Sequence, residues 1–162
     1  MHANDLFERI TNQLIADIET GATLGFKMRQ STPCSQVQLA SFTLGGDSAG
    51  AQIRLFVTGS SFFATLCRKY GCFTPPDSDD GKGCSSPVST LPLDRWQDFV
   101  LDLNKLSGAG TVFVGGTALR LPCSFDGAPL SKQVSVVIGH SSGDPNGPNC
   151  ESAYDNVTLK LQ

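Results

Sequence analysis

Apolar side chains alternate with polar or small ones along most of this chain, and a period of two is typical of β-strands with one buried face. The clearest run follows Trp96 and places three large apolar residues on one face: Phe99, Leu101 and Leu103. Glycine- or proline-rich segments, such as 108–110 and 143–148, separate the runs. About nine or ten short strands joined by turns predict an all-β fold, an antiparallel sandwich or barrel. Two sheets in which the first and last strands are adjacent form a jelly-roll β-sandwich, and this is the fold that we predict.

The length of 162 residues suits one domain, or one domain with a short appendage. Residues 4–15 space their apolar side chains as a helix does, so they form either a short N-terminal helix or a loosely packed linker. We therefore predict an appendage or linker at 1–14 and a jelly-roll domain at 15–162. Residues 1–17 lack the basic start and apolar core of an export signal. If the protein is secreted, we expect this sequence to be its mature part, with the signal removed.

The charge balance excludes some classes of partner. The net charge of −3 gives no basic footprint for nucleic acid. No run of apolar residues is long enough to span a membrane. We expect neither a nucleic-acid partner nor a membrane span.

The cysteines form an even set, at positions 34, 67, 72, 84, 123 and 150. Their spacings match none of the common zinc modules, so disulfides and an oxidising, extracellular setting are favoured over metal binding. Sequence alone does not choose among the pairings. One arrangement joins Cys123 to Cys150, Cys72 to Cys84 and Cys34 to Cys67, while reduced cysteines in the core are the alternative.

Two segments near the ends of the chain each carry a carboxylate: Glu19 within 18–21, and Asp155 at the start of the predicted closing strand. If the first and last strands lie side by side, these two carboxylates can meet and share a hard cation. Calcium is such a cation, because it prefers carboxylate and carbonyl oxygens. The alternative is that Asp155 hydrogen-bonds a turn and Glu19 is solvated.

Recognition of a glycan requires an exposed aromatic platform and a few polar groups that fix orientation. The candidate ligand-binding residues are an arginine on the polar face of its strand, two aromatics in the long 68–95 loop, the single tryptophan and a histidine at a strand end: Arg54, Tyr70, Phe73, Trp96 and His140. Long loops on a rigid sandwich commonly carry function. Each candidate has an ordinary alternative as a core or surface residue.

Catalysis finds little support in the sequence. Asp98 and Asp102 share a strand face at a separation of about 13 Å, which matches neither carboxylate arrangement of glycoside hydrolases. No nucleophile elbow is present. Whether the protein is an enzyme is left open, with binding favoured.

The tripeptide Asn156-Val157-Thr158 fits the acceptor pattern for N-glycosylation. Because it falls inside the predicted closing strand, the match can also be incidental.

Three patterns carry a family resemblance: Ile18-Glu19-x-Gly21, Trp96-Gln97-x-Phe99-x-Leu101-x-Leu103, and Tyr154-Asp155-Asn156-Val157-x-Leu159. Together they resemble the jelly-roll carbohydrate-binding modules with a galactose-binding-like fold. The resemblance implies a structural calcium ion held with the help of Glu19 and Asp155. It departs from the family at Ile18, where an aromatic residue is usual, and in the cysteine-rich 67–84 segment.

The function predicted from the sequence is that of a secreted, non-catalytic module that binds a polysaccharide or glycan and carries a structural calcium ion. An extracellular adhesion or structural domain that contacts protein is the main alternative. A small polysaccharide hydrolase or lyase on the same fold is a third.

Overall fold

The computed structural model describes residues 8–10, 18–45, 50–68, 71–72, 84–125, 134–141 and 151–162. The strands in these residues are β1 (Glu8–Ile10), β2 (Gly21–Gln30), β3 (Cys34–Leu44), β4 (Ala51–Gly59), β5 (Ser61–Arg68), β6 (Gly71–Cys72), β7 (Cys84–Ser85), β8 (Ser89–Thr90), β9 (Gln97–Asn104), β10 (Ala109–Val114), β11 (Thr117–Ser124), β12 (Val134–Ser141) and β13 (Ser152–Leu161). No helix among the described residues has the length and apolar character needed to cross a membrane.

The strands form two antiparallel sheets. Sheet A has the order β1-β12-β3-β4-β5-β6, and β7 and β8 also pair with β5. Sheet B has the order β11-β10-β9-β2-β13. The predicted all-β, antiparallel jelly-roll sandwich is confirmed.

The core lies between the sheets and contains the apolar face of each alternating strand. On β9 the predicted inward set, Phe99, Leu101 and Leu103, is buried. Phe99 stacks on Phe26 of β2 at 5.5 Å between ring centroids, and it meets Phe62 of sheet A edge-on at the same distance. The period of two therefore produces the sandwich directly, because each strand has one apolar face to cover.

The closing strand β13 pairs with β2, as predicted for the first and last strands of the jelly-roll domain. Leu161 lies opposite Ala22, and Tyr154 lies opposite Met28. The register shifts between Asp155 and Thr158, where β13 contains a β-bulge. Among the described strands β13 has only β2 as a neighbour, so it is an edge strand of sheet B.

The N-terminal segment differs from the helical alternative. Residues Glu8–Ile10 form β1, which pairs with Ile138–Val136 of β12, so a helix across 4–15 is wrong. The helical spacing is a local pattern, and pairing with the edge of sheet A decides the conformation of these three residues instead. The domain boundary at residue 14 stays a prediction, although β1 itself belongs to sheet A.

A disulfide joins the two sheets. Cys84 of β7 is bonded to Cys123 of β11 with a Cα–Cα distance of 5.7 Å. Cys34 and Cys67 are also disulfide-bonded, so the predicted oxidised state is confirmed. The pairings of Cys123 with Cys150 and of Cys72 with Cys84 are wrong, because β7 pairs with β5 and brings Cys84 across the core from β11.

One buried amide joins several connections at one end of the sandwich. Gln30, at the end of β2, is fully buried. Its Nε2 group donates to the carbonyl oxygens of Thr32 at 2.6 Å and Gly59 at 3.0 Å. Gly59 closes the β4–β5 turn with a φ of 62°, a conformation that favours glycine. The side chain of Gln30 therefore fixes the β2–β3 connection against this turn.

Candidate functional site

The outer face of sheet A is polar along its central strand. On β4, the inward residues Ile53, Leu55 and Val57 are fully buried. The alternate residues, which point away from the core, are Gln52, Arg54 and Phe56. These side chains are partly exposed, so β4 presents an amide, a guanidinium and an aromatic ring on one line.

A chain of side-chain hydrogen bonds holds the guanidinium in place. Arg54 donates from Nε to Gln52 Oε1 at 2.7 Å, and Gln52 donates from Nε2 to Thr43 Oγ1 at 2.9 Å. Thr43 is the cross-strand partner of Gln52 on β3. The terminal nitrogens of Arg54 have no hydrogen-bond partner among the residues that the structure describes. The hydrogen bond from Nε sets the orientation of the guanidinium before a ligand binds.

Hydroxyl residues flank Arg54 on both neighbouring strands. Its cross-strand partners are Ser41 on β3 and Thr65 on β5. Although both share the outer face, they are only 3% and 8% exposed. The Arg54 side chain is thus flanked on both sides by short hydroxyl side chains that are nearly buried.

An aromatic pair lies next to this polar group. Phe56 follows Arg54 on the same face of β4, about 7 Å along the strand. Its cross-strand partner is Phe63 of β5, and the two rings stack at 5.3 Å with an interplanar angle of 17°. An outward-facing aromatic surface beside a fixed guanidinium suits a ligand with one apolar face and one charged group.

Sheet A is also poor in acids. The sequences of strands β3, β4, β5 and β12 contain no aspartate or glutamate, although the whole chain has a net charge of −3, and the acidic residue of the edge strand β1 is Glu8. Sheet B differs, because acidic residues mix there with basic ones, as in the Lys27–Asp98 ion pair at 3.7 Å. The outer face of sheet A therefore favours an anionic ligand over a cationic one.

Of the five predicted ligand-binding residues, the structure describes the side chains of two, Arg54 and Trp96, and places them on different sheets. Trp96 is 45% exposed and precedes β9 of sheet B, with the Arg29 guanidinium 5.5 Å from its ring. It lies on the other sheet from Arg54, so the two cannot contact the same sugar. Tyr70 and Phe73 lie outside the described residues. The backbone of His140 belongs to β12, and its side chain is outside the described part.

The register of the sheet separates the two predicted calcium ligands. Asp155 lies opposite Lys27, whereas Glu19 lies eight positions before Lys27 in the chain. Glu19 is instead near the end of β13, because the N–H of the adjacent Thr20 donates to the Gln162 carbonyl oxygen. This places the carboxylates roughly 25 Å apart along the strands, so they cannot share an ion. The predicted meeting of the two carboxylates fails because β2 and β13 are antiparallel. Asp155, near the start of β13, lies beside the end of β2, whereas Glu19 precedes the start of β2.

Asp155 has a local role instead. Its Oδ1 accepts a hydrogen bond from the backbone N–H of Asn156 at 2.8 Å within the bulge. No group of three or more potential metal ligands occurs among the described residues. Glu19 and Asp155 therefore do not form a shared site, whereas the structural calcium ion itself stays a prediction.

Two parts of the polar surface were not selected from the sequence, namely the positioning pair Gln52 and Thr43 and the aromatic pair Phe56 and Phe63. The sequence could have indicated Phe56, because this aromatic residue stands at a position of the alternating strand where a polar, outward-facing residue is expected. Its stacking on Phe63 depends on the β4–β5 register and is not visible in the sequence.

No protein-family model and no curated protein matches the chain. Solved structures do resemble it. An alginate lyase from Pseudomonas aeruginosa superposes with a TM-score of 0.61 at 14% identity, over 94% of this chain and 68% of that one. A family 7 alginate lyase solved with its substrate gives a TM-score of 0.61 at 11% identity, over 99% of this chain and 73% of that one.

A sialidase from Trypanosoma rangeli matches with a TM-score of 0.56 at 20% identity, over 86% of this chain but only 20% of that one. For a further alginate lyase, the chain spans 63% of the neighbour's length. At such low identities these likenesses show a shared jelly-roll fold and no more. The finer resemblance to galactose-binding-like modules stays a prediction.

Proposed function

We propose that the protein binds an acidic polysaccharide on the outer face of sheet A, with Arg54 as the group that recognises a sugar carboxylate. The observation that carries this proposal is the fixed guanidinium, hydrogen-bonded to Gln52 within strands that contain no acidic residue. Arginine and carboxylate form charge-assisted, often bidentate hydrogen bonds, and the terminal nitrogens of Arg54, which have no partner among the described residues, suit such a pair.

Two further observations support the proposal. The stacked Phe56 and Phe63 rings offer an apolar surface beside Arg54 for the face of an adjacent sugar ring. The structural neighbours include enzymes that act on alginate, which is an acidic polysaccharide. The disulfides fit an oxidising compartment, so the proposed setting is extracellular.

A lyase that cleaves the same type of polymer is the second candidate, because several alginate lyases share this fold. The two functions differ in product. A binding module retains the polymer unchanged, whereas a lyase releases fragments that carry a new carbon–carbon double bond and absorb ultraviolet light.

The test is affinity electrophoresis in gels that contain alginate, polygalacturonate or a neutral glucan, with ultraviolet absorbance followed on the same polymers in solution. Retardation by the acidic polymers alone, weakened by added salt, is the expected result. Arg54→Ala should reduce affinity by at least about tenfold.

Arg120→Ala is the matched control, since Arg120 is an exposed cation on β11 of sheet B. Its affinity should stay unchanged. Equal retardation by neutral and acidic polymers, or an unaltered Arg54→Ala variant, would overturn the proposal. A rise in ultraviolet absorbance would establish the lyase instead.

A further inference from the structure

The bulge in β13 contains a residue with an unusual backbone conformation. Asn156 has a φ of 53°, in the left-handed region that asparagine tolerates better than most residues. It lies between Asp155, which pairs with Lys27, and Thr158, which pairs with Gly25. The bulge inserts one extra residue into β13 and so breaks the alternation of its side chains.

Loss of alternation exposes a continuous segment. In a strand with one buried face, every second side chain is covered. Here four consecutive residues from Asp155 to Thr158 are exposed, including Val157 at 45%. The Asn156 side-chain amide makes no hydrogen bond to any described residue. The tripeptide Asn156-Val157-Thr158 is therefore presented to solvent as a unit.

The surroundings leave space for a large group. β13 is the outermost strand of sheet B, with β2 as its neighbour. On its other side Thr158 packs closely against Gly25, and its Oγ1 donates to the Gly25 carbonyl oxygen at 3.4 Å, so the free space lies on the side away from β2. The tripeptide also lies on the other sheet from Arg54, away from the proposed polysaccharide surface.

We propose that Asn156 is an N-glycosylation site. Asn156-Val157-Thr158 is the only Asn-x-Ser/Thr tripeptide in the 162-residue sequence, and its middle residue is not proline. In the reaction, the Asn156 amide nitrogen attacks the anomeric carbon of an oligosaccharide carried on a lipid pyrophosphate. The carbon–nitrogen bond forms, the bond to the phosphate oxygen breaks, the lipid pyrophosphate leaves, and one amide proton passes to a base of the transferase.

A glycan at this position would also cover a sheet edge. Edge strands expose unpaired backbone groups that can pair with a second chain. A bulky, hydrated glycan on β13 blocks that approach. This consequence does not depend on the proposed polysaccharide binding.

The experiment is expression of the full chain behind a secretory signal in eukaryotic cells. Its mass is compared before and after treatment with peptide N-glycosidase, which converts a glycosylated asparagine to aspartate. The expected result is a mass increase that the enzyme removes, with the new aspartate at position 156. Asn156→Gln and Thr158→Ala should abolish the increase, and Thr158→Ser should retain it.

Gly115→Asn on the Asn156→Gln background is the positive control. It creates an acceptor tripeptide that ends at Thr117, in an exposed turn where residue 115 has a φ of 55°. If this variant carries a glycan while the unaltered chain carries none, the proposal is overturned. A glycan on the unaltered chain at any other position overturns it as well.

Discussion

Arg54 donates its Nε–H to Gln52 Oε1 at 2.7 Å, and both side chains leave the same face of β4. Residues two apart on a strand point the same way, so this bond is short-range in sequence and fixed by the strand itself. The arginine is therefore oriented by a residue of its own strand.

Gln52→Leu should weaken binding to acidic polysaccharide by about fivefold, because one positioning hydrogen bond to a charged group is lost. The salt dependence of binding should persist, since the charge of Arg54 remains. Titration calorimetry at two salt concentrations measures both quantities. Thr43→Val, one bond further from the guanidinium, is the graded control and should have a smaller effect. A larger loss from Thr43→Val than from Gln52→Leu would contradict this order.

The inter-sheet disulfide should be a major source of stability. The double variant Cys84→Ala/Cys123→Ala opens a loop with a sequence separation of 39. In the chain-entropy model its free energy of unfolding should fall by about 4 kcal/mol. Chemical denaturation of the variant and of the unaltered protein gives the difference. A loss well under 1 kcal/mol would mean that the sheets are held together without this bond.

Gln30→Leu should destabilise the fold by about 2–4 kcal/mol. It removes the hydrogen bonds from Nε2 to Cys34 Sγ and to the Thr32 and Gly59 carbonyl oxygens, and it leaves these two part-buried oxygens without this donor. Gln97→Leu is the control, because Gln97 makes no side-chain hydrogen bond within the described residues, and it should change stability by about 0.5 kcal/mol or less. Similar losses in both variants would remove the special role of Gln30.

Tyr154 should make stability depend on alkaline pH. Burial raises the pKa of the Tyr154 hydroxyl far above its ordinary value of 10.0, while the Ser152 hydroxyl offsets part of the effect. Above pH 10 the unfolded chain loses this proton and the folded protein keeps it. Stability should therefore fall as pH rises, by up to about 1.4 kcal/mol per pH unit.

Tyr154→Phe should lose this alkaline component. At neutral pH it should cost about 1 kcal/mol, because the hydrogen bond from Tyr154 to the Leu39 carbonyl oxygen disappears. Thermal melts between pH 7 and about pH 11 separate the two effects. An unchanged slope in the variant would assign the alkaline sensitivity to other groups.

Asp155→Ala should lower the melting temperature equally in calcium and in chelator. The carboxylate holds the Asn156 N–H in the bulge, and Glu19 lies too far along the strands to share an ion with it. Paired melts with and without calcium are the measurement. A larger loss in calcium would show that Asp155 is a metal ligand together with other groups.

The sequence by itself determined the class of fold and the faces of the strands. The set Phe99, Leu101 and Leu103 is buried as its period predicts, and Arg54 lies on the polar face of β4. These results were accessible because alternation is a local property that needs no knowledge of neighbouring strands. The adjacency of the opening and closing strands was also predicted correctly, from the general geometry of jelly rolls.

Only the tertiary structure decided which residues meet. Register places Asp155 opposite Lys27 and far from Glu19, pairs Phe56 with Phe63, and brings Cys84 to Cys123 across the core. A local sequence pattern leaves this register open, and a shift of one residue would turn every side chain of a strand to its other face. The choice of register depends on packing over both sheets at once, so the polar surface around Arg54 and the exposed bulge at Asn156 follow from the fold as a whole.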